Sequence, residues 1–178
     1  MRDLEAGQSG GPAHADNPTT MTETVLHQLE AHPFVAALRP EHRARLAALA
    51  KRAEFAADQI IFHEGDDYSV LYLLEKGMVA LELDVPDHLL RVQTLYAGDV
   101  FDWSAVLPHA AKHFQARALE PVTALAFEGN DLQASFKSDP GFGLAFMMGL
   151  MGVVSERLRA TRLQLLDMYS PVAKRAGT

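Results

Sequence analysis

Residues 96–118, which read Y-A-G-D-V-F-D-W-S-A-V-L-P-H-A-A-K-H-F-Q-A-R-A, decide how the chain folds. The Gly-Asp pair at Gly98 is a turn signal between two apolar runs. The residues from Ser104 can complete one helical turn, which Pro108 stops. The residues from Phe114 onward have the pattern of a strand that re-enters the fold. This order predicts a short helix whose first amides, facing a cation, form a generic anion site.

Short strands precede and follow this stretch. Apolar runs predict strands at 59–62, 70–74, 78–85, 89–95, 114–119 and 122–127. Turn signals at Gly65, Gly77 and Pro86 separate them at intervals of about 8–12 residues. The spacing predicts a mainly β fold, an antiparallel β-roll or jelly roll, with helices at its two ends.

Helical patterns occupy both flanks of the predicted β-roll. Residues 22–31 form a first helix whose apolar positions share one face, and residues 40–53 form a second helix with Pro40 at a favourable first position. A short helix opens at Asp131, and a long helix starts after Asp139. The predicted organisation is a disordered tail at 1–21, helical entry plus β-roll at 22–140, a C-terminal helix at 141–169 and a tail at 170–178.

The long helix carries apolar or small residues in alternating steps of three and four, starting from Leu144. That spacing is typical of a coiled-coil seam, and it predicts a homodimer. The predicted interface consists of Met147, Met151, Val154, Leu158, Thr161, Leu165 and Met168. The alternative is that the same face packs against its own β-roll. The nearby Arg157, Arg159 and Arg162 are interpreted as a solvated flank of the helix.

Composition limits the function classes. The formal net charge of -7 repels polyphosphates, and the absence of Cys excludes disulfides, iron–sulfur ligation and thiolate zinc. No run reaches about 18 apolar residues, and the first residues lack a basic start followed by an apolar run. We therefore expect a cytoplasmic protein with no membrane span.

Two segments carry a family resemblance. Residues 55–65, F-A-A-D-Q-I-I-F-H-E-G, and residues 72–79, Y-L-L-E-K-G-M-V, resemble strand signatures of the cyclic nucleotide-binding domain found in the bacterial catabolite-activator and fumarate-nitrate regulator family. The resemblance covers about residues 34–168. It implies a ligand-binding β-roll, and dimerisation through the helix that follows it.

The same resemblance identifies residues 98–113 as the family's phosphate-binding cassette, with altered contact residues. Gly98 to Phe101 match the family's G-D-x-F, but Asp102 and Trp103 stand where the family has Gly-Glu. Lys112, or His113 with a shift of one residue, stands where the family has its phosphate-binding Arg. The candidate ligand-binding residues are Gly98, Phe101, Asp102, Trp103, Ser104, Ala105, Lys112 and His113.

These changes weaken the expected binding of cyclic AMP or cyclic GMP. In the family, the cassette Glu accepts a hydrogen bond from the ribose, whereas the indole of Trp103 can only donate. Asp102 is expected to repel the phosphate by roughly 3 kcal/mol, and Lys112 offers a point charge in place of a planar fork. The combined loss is about 4–6 kcal/mol, or about three to four decades in affinity.

Three interpretations of the pocket remain open. It could be closed by Trp103, Phe101 and Phe114, it could hold a flatter or less anionic ligand stacked on Trp103, or it could retain weak nucleotide binding.

A metal site is the last alternative, because the chain has 8 His residues. A cupin-like metalloenzyme, also a small β-barrel, would need an H-x-H pair, which does not occur. His63 precedes a turn, and His109 and His113, which flank the cassette loop, are interpreted as surface residues of that loop. We expect no metal, no cofactor and no enzymatic activity.

The function implied by the resemblance is regulatory or adaptor. The family's transcription factors carry a helix-turn-helix domain after the long helix, but only ten residues follow Met168. We therefore expect no direct DNA binding and an action through a protein partner. The alternatives are a sensor of a different small ligand and the cupin-like metalloenzyme.

Overall fold

The computed structural model describes residues 18–67, 69–107 and 112–175, with side chains at 25–67, 69–107 and 112–166. The helices are α1 (Pro18–Ala31), α2 (Pro40–Leu49), α3 (Gly129–Ser138) and α4 (Pro140–Arg175), with single 3₁₀ turns at Pro33–Val35 and Trp103–Val106. The strands are β1 (Lys51–Phe55), β2 (Ile60–Phe62), β3 (Val70–Lys76), β4 (Val79–Val85), β5 (His88–Leu95), β6 (Val100–Phe101), β7 (Gln115–Ala118) and β8 (Val122–Glu128).

The strands form two antiparallel four-stranded sheets, ordered β1-β8-β3-β6 and β2-β7-β4-β5. Alternate residues of β3 serve two different cores. Tyr72 and Leu74 point between the sheets, where they join Phe62, Leu81 and other residues of the second sheet. Leu71 and Leu73 point to the opposite side, into a cluster with the helices. A strand buried on both faces is apolar throughout, which explains the unbroken apolar run of β3.

The structure confirms the predicted β-roll with flanking helices and a long C-terminal helix. Two predicted boundaries were wrong. The second helix ends at Leu49 instead of Ala53, because residues 51–55 leave the helix and pair with β8. The first helix begins at Pro18, so the end of the predicted tail is helical. The rest of that tail, residues 1–17, lies outside the described residues.

One glycine joins the cassette to α3. A β-carbon at Gly129 would overlap the carbonyl oxygen of Ala105. Gln133 in α3 also donates from its side-chain amide to the carbonyl of Val106, at 3.5 Å. The first turn of α3 and the short helix of the cassette therefore pack backbone to backbone.

The first third of α4 belongs to the core. Phe142, Phe146 and Leu150 are buried, and the ring of Phe146 lies 5.0 Å from Phe34 and 5.2 Å from Phe136. By length and composition alone, Pro140–Leu166 is apolar enough to cross a membrane, with a mean hydropathy of 1.2. Its buried residues Phe142, Phe146 and Leu150 pack into the helix-side core.

Candidate functional site

A cavity of about 460 Å³ lies between the second sheet, the cassette and α4. Its described walls come from three parts of the chain. The residues are Phe62, Leu81, Val92 and Gln93 from the sheet, Asp102, Trp103, Ser104, Lys112, His113 and Phe114 from the cassette and the start of β7, and Val154, Arg157, Leu158, Thr161, Gln164 and Leu165 from α4.

The cavity contradicts the interpretation of a pocket closed by aromatic side chains. Trp103 and Phe114 line the space without filling it. Phe101 does not reach it, because its ring is fully buried in the core, 4.8 Å from Tyr72 and 6.4 Å from Phe62. An unfilled space therefore remains where the sequence analysis considered a pocket closed by aromatic side chains.

The backbone at Asp102 explains how this residue replaces glycine. Its φ of 55° and ψ of 40° lie in the left-handed region, just before the 3₁₀ turn that starts at Trp103. Glycine adopts this conformation freely, and Asp is among the few other residues that tolerate it. The Ser104 hydroxyl donates to the Asp102 carboxylate at 3.0 Å. The cassette can therefore adopt this left-handed turn without a glycine at position 102.

The carboxylate of Asp102 forms an ion pair with the ammonium of Lys112. The two side chains are only 2% and 3% exposed, respectively. The Lys112 ammonium also lies 4.3 Å from the centre of the Phe62 ring, in cation–π geometry. Burial raises the pKa of the Asp102 carboxyl, although Lys112 and Ser104 act in the opposite direction.

This pair corrects two predictions. Asp102 was expected to repel an incoming phosphate, and Lys112 was expected to attract it. Because the two charges neutralise each other inside the protein, neither acts alone on a ligand.

Arg157 was also wrongly interpreted. It lines the cavity and donates from its guanidinium to the carbonyl of Val100. Burial lowers its pKa. Arg159, two positions later, does belong to a solvated flank, where it pairs with Glu156 at 2.5 Å. Both arginines have the same sequence character, and only the path of α4 over the cavity distinguishes them.

The residues of the predicted dimer interface lie in three different environments. Val154, Leu158, Thr161 and Leu165 line the cavity of their own chain. Met147 packs against the helix-side core, and Met151 is 56% exposed. The side chain of Met168 lies outside the described residues.

The remaining predicted cassette residues, Gly98 and Ala105, lie next to the cavity wall without forming part of it. The Gly98 amide donates to the carbonyl of Leu74 at 2.8 Å, in a turn where Gly98 has a φ of 96°. Ala105 is buried beside Gly129. Like Phe101, neither residue is part of the cavity wall.

Two of the three candidate histidines lie in the described part of the chain. His63 is exposed and lies 3.2 Å from the side-chain oxygen of Gln115, and His113 is an exposed residue at the cavity wall. His109 lies outside the described residues. Within the residues that the structure describes, no group of three or more His, Asp or Glu side chains is arranged to hold a metal ion.

Sequence reasoning missed the sheet side of the cavity. Phe62, Leu81, Val92 and Gln93 belong to three strands that meet only in the folded chain. Alternation along a strand would not have found both residues of β5, because Val92 and Gln93 are consecutive and lie where the register between β4 and β5 shifts. Which of them faced the cassette required the strand order.

The chain matches the family profile described as the cyclic nucleotide-binding domain over residues 52–139. No curated protein matches it.

Solved structures agree with the profile. A putative cyclic nucleotide-binding protein from Geobacter metallireducens is 24% identical, with a TM-score of 0.67 over 74% of this chain and 96% of that one. The N-terminal domain of a transcriptional regulator from Streptomyces coelicolor is 27% identical, with a TM-score of 0.61 over 75% and 94%. The catabolite activator protein of Thermus thermophilus is 25% identical, with a TM-score of 0.63 over 78% and 63%.

Proposed function

Because the chain belongs to the cyclic nucleotide-binding domain family through residues 52–139, we propose that it is a regulatory or adaptor protein that does not bind cyclic AMP or cyclic GMP in the family's usual way. It acts through a partner protein. Members of this family are generally regulatory proteins, in which the domain controls another activity.

The observation that carries the proposal is the buried ion pair of Asp102 and Lys112. In the family, an Arg of the cassette binds the cyclic phosphate. Here the residue at that position already has a carboxylate partner inside the protein. A phosphate can use the ammonium only by competing with Asp102, whose own negative charge lies in the same site.

Trp103 removes a second contact. It lines the cavity at the position of the family's ribose-binding Glu, and an indole has no acceptor for a hydroxyl. The 3₁₀ turn offers an anion few amides, because the Ala105 amide already donates to the carbonyl of Asp102 at 3.0 Å, and the cassette's own cation is paired. The phosphate and ribose contacts are thus weakened together.

The first prediction is a cyclic nucleotide titration. Calorimetry with cyclic AMP and with cyclic GMP should give dissociation constants in the millimolar range or weaker, because the cassette ammonium is already paired with Asp102 and the ribose acceptor is missing. Thermal unfolding of the same sample confirms that it is folded. A dissociation constant below about 10 μM for either nucleotide would refute the proposal.

A second candidate function is a sensor of a different small ligand. The specific observation in its favour is the unfilled cavity of about 460 Å³ beside Trp103. That volume is within the range of small-molecule sites. In this case the domain still regulates a partner, but in response to a ligand of other chemistry.

The assembly that we propose is a homodimer formed through α4. The first half of the helix exposes a row of large apolar side chains, which are Leu144 at 67%, Met148 at 66% and Met151 at 56%. Positions 144, 148 and 151 follow one another by four and three residues, so they share one face. A second copy of the same helix can cover this row in coiled-coil packing.

The second prediction tests this dimer. Met151→Glu should convert the dimer to a monomer, because the seam would bury an unpaired carboxylate. Met151 is a suitable position because it does not line the cavity. Ala160→Glu is the matched control, since this exposed residue lies on the opposite side of the helix. Light scattering that shows a wild-type monomer at micromolar concentration would refute the dimer.

We further propose a cytoplasmic location and no direct contact with DNA. The net charge of -7 opposes binding to a polyanion, and the Cys-free composition fits a reducing compartment. The cupin-like metalloenzyme gains no support from the described histidines.

A further inference from the structure

The cavity has one cation that differs from the others around it. Arg157 enters from α4, and its one hydrogen bond among the described residues goes to the backbone carbonyl of Val100. Lys112 is paired with Asp102, and Arg159 is paired with Glu156 outside the cavity. Arg157 is therefore a half-buried guanidinium with no salt bridge among the described residues, although the charge of Asp99 acts on it. A guanidinium has five donors, so most of its hydrogen-bonding capacity remains.

The rest of the wall is mainly apolar. Phe62, Leu81 and Val92 form the sheet side, and Leu158 and Leu165 form the helix side. Trp103 supplies a flat aromatic surface between them. Such a wall binds an apolar body by removing its surface from water, and aromatic rings add stacking contacts. A strongly hydrated group would lose more water than this surface could replace.

We propose that the cavity binds an organic monoacid, an apolar and preferably aromatic body that carries a single carboxylate. The body lies between Trp103 and the apolar side chains of α4, and the carboxylate accepts hydrogen bonds from Arg157. This proposal rests on the proposed function, since it needs a cassette that no longer holds a cyclic phosphate. It places the charge recognition on the C-terminal helix instead of the cassette.

The charge balance of the wall favours one negative charge on the ligand. The Asp102–Lys112 pair contributes no net charge, and Arg157 contributes one positive charge. A monoacid therefore neutralises the wall, whereas a neutral molecule leaves the guanidinium opposed only by Asp99, which does not line the cavity. Arg can bind a carboxylate through two parallel hydrogen bonds, which fixes the orientation of the ligand.

The experiment compares two fluorescent probes that share one aromatic body. Anilinonaphthalene sulfonate carries a single anionic group, and phenylnaphthylamine is the same body without it. Arg157→Gln should weaken the binding of the sulfonate by about tenfold or more, because a charge-assisted hydrogen bond is lost. The same variant should change the binding of phenylnaphthylamine by less than about twofold.

Two controls establish where the probes bind. Arg159→Gln makes the same change on the solvated side of α4, and it should leave both probes unaffected. Val154→Phe places a larger side chain in the cavity, and it should weaken both probes by about tenfold. Thermal unfolding of each variant shows that it is folded. Arg157→Lys, which keeps a cation, serves as a second variant and should retain the preference for the sulfonate.

The proposal is overturned if Arg157→Gln weakens both probes equally or leaves the sulfonate unchanged. It is also overturned if Val154→Phe has no effect, or if neither probe binds more tightly than about 1 mM. These failures are distinct from failure of the proposed function, which is decided by the cyclic nucleotide titration of the wild-type protein. If the wild type does not bind cyclic AMP and the substitution of Arg157 changes the binding of neither probe, only the monoacid proposal is refuted.

Discussion

Asp102→Asn should lower the free energy of unfolding by about 3–5 kcal/mol, which is the largest effect that we expect from a single substitution. The change leaves the buried ammonium of Lys112 without its carboxylate, and an uncompensated buried charge is strongly destabilising. Asn is chosen because it has nearly the same shape and also tolerates the left-handed conformation found at this position. The loss therefore reports on charge rather than on backbone strain.

The second half of this test is a compensating change. Adding Lys112→Met to Asp102→Asn should recover most of the lost stability, because a flexible apolar side chain can pack on the Phe62 ring. Denaturant unfolding of the wild type, both single variants and the double variant measures the coupling. Glu54→Gln is the control, since it breaks an exposed pair with Arg52 and should change stability by less than about 1 kcal/mol. Additive single effects would mean that the two charges do not interact.

The pH dependence of Lys112→Met gives an independent check. Burial raises the pKa of Asp102, so the folded chain takes up a proton at a higher pH than the unfolded chain. The contribution of protonated Asp102 to stability is therefore lost as the pH rises through the pKa that this carboxyl has in the folded chain. Without Lys112, burial raises the pKa of Asp102 further, because the opposing charge is gone. The variant should therefore regain stability as the pH is lowered from about 7 toward the ordinary range of a carboxyl.

The triple variant Asp102→Gly, Trp103→Glu and Lys112→Arg should bind cyclic AMP about a thousandfold more tightly than the wild type. Glycine keeps the left-handed conformation without placing a carboxylate at the phosphate site. The introduced carboxylate would accept from the ribose, and the introduced guanidinium would supply the two-pronged contact with the phosphate. That guanidinium lacks the internal partner of Lys112, so the variant should be less stable alone and strongly stabilised by the nucleotide.

Calorimetry measures this increase in affinity. The double variant Asp102→Gly and Lys112→Arg, with Trp103 retained, is the matched control and should bind cyclic AMP much more weakly than the triple variant. If the triple variant is folded but binds nothing, the defect lies elsewhere in the cavity, and the apolar sheet side becomes the place to search.

The β-roll was predictable because its signals are local. Gly65, Gly77 and Gly98 mark turns, and all three have positive φ in the structure, at 82°, 94° and 96°. Strands between such turns were recognised from apolar runs alone. The strand at 51–55 was missed, since its apolar residues Ala53 and Phe55 are too few to indicate a strand before it pairs with β8.

The site was less predictable, because its decisive contacts join separate parts of the chain. Asp102 and Lys112 were both recognised as altered, but each was judged as if it faced a ligand. Nothing in a ten-residue separation through a loop indicates that the two side chains meet. The role of Arg157 depends on where α4 crosses the cassette, which the heptad spacing does not specify.

The contact between Gly129 and Ala105 couples a movement of the cassette helix to α4 through α3. The cassette helix cannot shift toward α3 without displacing α3. In turn, Phe136 of α3 packs against Phe142 and Phe146 at the start of α4. Residues 151–175 extend beyond the last core residue by about 37 Å, at about 1.5 Å per residue. A rotation of only about 5° at that pivot displaces the far end by about 3 Å, which is enough to separate two packed side chains at whatever surface rests there.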